Sequence, residues 1–115
     1  MIAPGFDEPY LVAALLTGQP PLSRNRNFEL LSSDVGRRAR RRASFLRSVA
    51  RDIERMRVEK GTVSVEHGSF ARGAVRVVIR GREYVRSAYL THDEVQLMVT
   101  AFPRVARVLD LHRAS

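Results

Sequence analysis

Between Thr62 and Leu90 the chain is cut by glycines into short segments in which apolar residues recur at every second position, and few folds accommodate that pattern. Val63, Val65 and His67 alternate with Thr62, Ser64 and Glu66. Such alternation puts the two sets of side chains on opposite faces of a strand. Ala74 to Arg80 repeats it, with Val75, Val77 and Ile79 facing one way and Arg76, Val78 and Arg80 the other. Gly68 to Gly73, carrying Phe70 and Arg72, is expected to turn between these strands. Gly81 is expected to supply a tight hairpin by taking positive φ. Arg82 to Leu90, with Tyr84, Val85, Arg86 and Tyr89, then forms the third strand.

Helical periodicity flanks this segment on both sides. Thr91-x-x-Glu94 fits a capping box, in which each side chain satisfies the other residue's free amide. Val95, Met98, Val99 and Phe102 give the following helix a buried face, and Val105, Val108 and Leu109 carry the stripe onward, predicting one C-terminal helix over 91–112. Pro103 within it can sit in the first turn of a continuation or introduce a kink. Ahead of the strands, Ser32 or Ser33 can cap a helix over 34–60. Its stripe is Ala39, Ala43, Leu46, Ala50 and Ile53, with Val49 and Met56 on the flank, and Gly61 stops it. So much alanine permits close packing against another helix, and a second copy of the chain is one candidate, giving a homodimer. Phe6 to Thr17 reads as a short helix ended by Gly18 and Pro20-Pro21, and Leu22 to Asn27 as extended.

The expected fold class is therefore α+β. A small curved antiparallel sheet of three or four strands is followed by a C-terminal helix and preceded by a long basic N-terminal helix. Residues 1–33 form an N-terminal helix and extended segment, and residues 34–115 a single α+β nucleic-acid-binding domain, with its sheet at 62–90.

Charge is segregated along the chain. Residues 36–60 hold nine arginines and Lys60 against three acids, within a net charge of +8. A basic balance of this kind favours a polyanionic partner. Arg37-Arg38-Ala39-Arg40-Arg41-Arg42 concentrates it further, and like charges so close weaken a helix unless an anion meets them. Arg38, Arg41 and Arg42 are candidate phosphate ligands there. A second constellation is Arg76, Arg80, Arg82 and Arg86 with Phe70, Tyr84 and Tyr89, because single-strand binders combine a basic track with rings on which bases stack.

Catalysis is not expected. The chain has no cysteine, hence no disulfide, thiolate site or Cys nucleophile. His67, His92 and His112 have no metal-ligand spacing, and no phosphate loop or nucleophile elbow occurs, so neither an enzyme nor a metal or other cofactor is predicted. Asp93 and Glu94 suit the positive end of a helix. The longest apolar stretch, Tyr10 to Leu16, is too short to span a bilayer, and Asp7 and Glu8 ahead of it do not suit a signal peptide. An intracellular location, in a nucleoid, a nucleus or a virus-infected cell, is the expectation.

Residues 62–110 resemble the transcriptional positive cofactor four family of small single-stranded DNA-binding coactivators. Val63-Ser64-Val65, Phe70, Gly73, Val75 to Ile79-Arg80, Arg86 to Leu90-Thr91, Glu94 and Phe102-Pro103 follow that family's order of strand, aromatic turn, strands and acidic-capped helix. The resemblance implies a homodimer that binds single-stranded or melted DNA on its sheets and serves the transcription or replication machinery. It assigns base stacking to Phe70 and Tyr84, phosphate contact to Arg72 and Arg80, and a basic strand end to Arg86. The hairpin at Gly81 is shorter than the family's basic loop, a role the Arg-rich helix could take over. A double-stranded-RNA-binding domain has the same element order but wants a basic start to its last helix, where this chain has Asp93-Glu94. A winged helix needs a helix-turn-helix that is not evident.

Two functions follow from these features. One is a single-stranded DNA- or RNA-binding protein acting through arginine–phosphate contacts and stacking. The other is a non-enzymatic assembly protein that dimerises through its helices, its arginines serving solubility.

Overall fold

The computed structural model describes residues 8–18, 33–67 and 74–114. Phe70 and Arg72, the 68–73 turn, the 22–27 segment and Ser32 lie outside the described residues. The elements run α1 (Glu8–Thr17), α2 (Asp34–Glu59), β1 (Thr62–Glu66), β2 (Ala74–Arg80), β3 (Val85–Thr91), α3 (His92–Ala101) and α4 (Pro103–Ala114). The fold class is α+β, as the periodicities require. No helix among the described residues is long and apolar enough to cross a membrane. The chain divides into two compact units, residues 1–47 and 48–115, with the boundary inside α2.

In the first unit α1 buries Leu11, Val12 and Leu16. Gly18, at φ 71°, follows its last turn, a conformation that costs glycine nothing. Ser33 caps α2, its hydroxyl accepting from the Gly36 amide at 3.1 Å. Ala39, Ala43 and Leu46 are buried. Arg38 Nε bonds Glu8 at 3.2 Å, and Arg47 donates to the Leu15 carbonyl.

In the second unit, α2 continues the stripe with Val49, Ala50, Ile53 and Met56, all buried. It ends at Glu59, just ahead of the Gly61 expected to stop it. The left-handed residue is Lys60, at φ 56°, and the Gly61 amide bonds the Met56 carbonyl at 2.9 Å, the six-to-one bond that closes a helix C-terminus. Gly61 serves a different purpose, close approach. A Cβ there would lie 2.3 Å from Met56 Sδ and 2.4 Å from the Arg80 carbonyl oxygen. A lysine in the left-handed region is strained, so Lys60→Gly is expected to raise unfolding free energy by about 0.5–1 kcal/mol, read from urea denaturation.

The sheet is an antiparallel meander in the order β1-β2-β3. Its register aligns Val63, Ile79 and Arg86 in one row, Val65, Val77 and Ala88 in the next, and Val75 with Leu90 beyond. These residues share the inner face. The opposite, outer face carries the rows Thr62–Arg80–Val85, Ser64–Val78–Ser87 and Glu66–Arg76–Tyr89. The β2–β3 connection spans residues 81–84 and is closed by the Gly81 amide on the Tyr84 carbonyl at 2.7 Å. Gly81 does not take the positive φ expected of it, since Gly18 and Lys60 alone do so among the described residues.

The capping box forms as spaced. The Thr91 hydroxyl accepts from the Glu94 amide at 3.1 Å, and Glu94 accepts from the Thr91 amide at 2.9 Å. The single C-terminal helix expected over 91–112 is instead two. Phe102, at φ −127° and ψ 93°, interrupts it. A residue before proline is pushed out of the helical region, and Pro103 suits the first position of a new helix because its missing amide would be unpaired anyway. The Phe102 amide closes α3 on Met98, and its carbonyl accepts from Val105 and Ala106 to open α4. Val95, Met98, Val105, Val108 and Leu109 are buried.

Candidate nucleic-acid interface

Period-two alternation along β3 decides which aromatic is available. Ala88 and Leu90 are buried, so Tyr84 and Arg86, an even number of residues away, point inward with them. There they meet Asp52 of α2, the one buried polar side chain among the described residues. Asp52 Oδ2 accepts from the Tyr84 hydroxyl at 2.7 Å and from Arg86 Nη1 at 2.6 Å, and Oδ1 lies 3.3 Å from Arg55 Nη2. Arg86 Nη1 also donates to Ser48 Oγ at 2.9 Å, and the Arg55 guanidinium lies 5.9 Å from the centre of the Tyr84 ring.

Burial of Asp52 works against its charge. The hydrogen bonds from Tyr84 and Arg86 and the charges of Arg86 and Arg55 outweigh it, and the carboxyl titrates below its ordinary value. The same Asp52 bond, with burial, pushes the Tyr84 hydroxyl up. Tyr84, assigned to base stacking by the family resemblance, and Arg86, assigned to a basic strand end, are thus engaged in an internal ion-pair cluster. Their side chains hold α2 to the sheet.

The outer face is different. Val85 and Tyr89 are among the few large apolar or aromatic residues that stand open, Tyr89 at 53% exposure. Arg76 is directly opposite Tyr89 in the register, and Arg80 opposite Val85. Arg80 and Arg82 are exposed. Arg76 is half-buried, 3.6 Å from Glu66 through Nη1 and 3.4 Å from Ser87 Oγ through Nη2, and its buried Nε has no hydrogen-bond partner among the described residues. A donor in that state is uncompensated until an acceptor reaches it. Of the aromatics in the expected stacking constellation that are described, Tyr89 rather than Tyr84 is the exposed one. The signal was present: its neighbours Ala88 and Leu90 are apolar, so Tyr89 must face the other way.

The Arg-rich run is part of the other compact unit. Arg37 pairs with Asp34, Arg38 with Glu8, and the Arg42 guanidinium lies 4.7 Å from the centre of the Phe45 ring. Arg40 and Arg41 are exposed. The alanine stripe expected to favour a partner helix is buried within the single chain, Ala39, Ala43 and Ala50 being at most 2% exposed.

The imidazoles of His67 and His92, unrelated in sequence, stack with centres 5.4 Å apart. Among the described residues no group of three or more His, Asp or Glu side chains converges to hold a metal. Comparison with known proteins finds no matching family model, no matching curated protein and no matching solved structure.

Proposed function

We propose that this protein binds single-stranded nucleic acid, DNA in the first instance, on the outer face of its sheet, without catalysis and inside the cell or an infected cell. The observation that carries the reading is the exposed Tyr89 ring set opposite Arg76, with exposed Arg80 two rows farther along the same sheet face and Arg82 in the connection beyond it. A base stacks on the ring while guanidinium groups meet the phosphates on either side, with little sequence preference. The likeness of residues 62–110 to the single-strand-binding coactivators supports the ligand class and a role beside the transcription machinery. A homodimer belongs to the same reading, formed through a surface other than the buried alanine stripe.

Fluorescence anisotropy on labelled single-stranded and duplex oligonucleotides tests it. Single strands are expected to bind more tightly, with affinity falling by orders of magnitude between about 50 and 200 mM salt. Tyr89→Ala is expected to cost about 1–3 kcal/mol of binding, roughly 5- to 150-fold, with stability little changed. Tyr84→Phe, which removes only the bond to Asp52, should leave affinity intact. Equal affinity for both forms would remove stacking from the mechanism. No binding at low salt would leave the assembly protein, for which exposed Val85 and Tyr89 are then the docking residues.

A further inference from the structure

We propose that Ser44 is a phosphorylation site for a protein kinase that selects arginine two and three residues ahead of its acceptor. The segment reads Arg40-Arg41-Arg42-Ala43-Ser44-Phe45. Ser44 is the only serine or threonine of the chain with arginine at both positions. A substrate groove lined with carboxylates at those two subsites takes guanidinium groups as charge-assisted, forked hydrogen-bond donors. Phe45 supplies an apolar residue directly after the acceptor. In the step itself the Ser44 Oγ attacks the γ-phosphorus of ATP. The Oγ–P bond forms, the bond to the ADP oxygen breaks, and the hydroxyl proton passes to the kinase's carboxylate base.

The structure adds what the motif lacks. Ser44 is exposed on α2, and Arg40 and Arg41, four and three residues before it, are exposed too. Residues at those separations share a helix face. A phosphate on Ser44 carries nearly two negative charges and sets them beside two guanidinium groups. Entry into a kinase groove requires residues 41–45 to leave the helix, and Ala43 is buried. The arginine run eases that opening. Arg37 and Arg41, and Arg38 and Arg42, are like-charge pairs four apart, offset only in part by the Asp34 and Glu8 carboxylates that Arg37 and Arg38 meet. Modification reverses the balance, because the phosphate forms favourable pairs with Arg40 and Arg41 once the helix closes. It also takes that positive patch away from any other polyanion. The assignment stands independently of the nucleic-acid reading.

The full-length folded chain, incubated with a purified Arg-directed serine kinase and magnesium ATP, provides the test, read by intact mass and peptide mapping. One phosphate per chain on Ser44 is expected, absent in Ser44→Ala and incorporated about tenfold more slowly when Arg41 and Arg42 are both changed to Gln, since two charge-assisted contacts are lost. Modification of Ser44 only in the denatured chain would overturn the proposal. So would a phosphate that persists in Ser44→Ala with none on Ser44 in the wild type.

Discussion

Replacing Gly61 by Ala is expected to destabilise the protein by about 3 kcal/mol, at the upper end of what overpacking costs, and to lower the melting temperature by roughly 10–20 °C for a unit of this size. Gly61 stands between the end of α2 and the start of β1, where the chain passes against the last residue of β2. A methyl group there would sit 2.4 Å from the Arg80 carbonyl oxygen and 2.3 Å from Met56 Sδ. Met56 is a flexible side chain and can yield. The Arg80 carbonyl is backbone and belongs to the β1–β2 ladder through the Thr62–Arg80 pair. Relieving the clash therefore means shifting strand against helix. Gly81→Ala is the informative control, because its nearest contacts are 3.1–3.4 Å away and all to side-chain ends of Glu59 and Met56. It should cost less than about 1 kcal/mol. Equal losses for the two variants, measured by thermal or urea unfolding, would remove the distinction.

Asp52→Asn is expected to cost about 3 kcal/mol, because it leaves the half-buried Arg86 guanidinium without its counter-charge. The amide can still accept from Tyr84, so volume and one hydrogen bond survive and the loss is chiefly electrostatic. The effect is pH-dependent with a defined sign. The folded Asp52 carboxyl titrates below its ordinary value of 3.8, so the unfolded chain binds the proton more readily. Stability from this group is complete above that value and is lost as pH falls through the lower folded value. Wild type and Asp52→Asn should therefore differ most near neutrality and converge in acid. A difference independent of pH between neutrality and about pH 2 would show that the cluster acts through packing alone.

How much of this was legible in the sequence depends on the range of the interaction involved. The capping box at Thr91 and Glu94 was readable because both partners lie three residues apart. The inward valines of β2 were readable from their alternation, and the stripe of α2 from its spacing. The break at Phe102 was half-readable, since Pro103 announced a disturbance but not whether the helix would kink or restart. The stop of α2 ahead of Gly61 was readable, but not the part that glycine plays there. Glycine is the expected left-handed residue, yet here glycine was needed one position later to let backbone approach backbone, a requirement set by Arg80, far along the chain.

The site shows the same division more sharply. Composition and spacing placed arginines and aromatics on the third strand but treated Tyr84 and Arg86 as available to a ligand. Nothing local identifies Asp52 as the buried acceptor that claims both. Its neighbours Val49, Ile53 and Met56 mark the buried face of α2, and an aspartate on the edge of that face reads as solvated. Only docking of α2 on the sheet brings Asp52 within 2.7 Å of residues more than thirty positions away. Local pattern was enough for the order of helices and strands up to Phe102, the alternation of β1 and β2, the capping box of α3 and the concentration of positive charge, because each depends on neighbours within a turn or a strand. Tertiary structure alone decided which arginines are already paired, that Tyr89 rather than Tyr84 is exposed and why Gly61 is required, because burial and ion pairing are settled between elements distant in the chain.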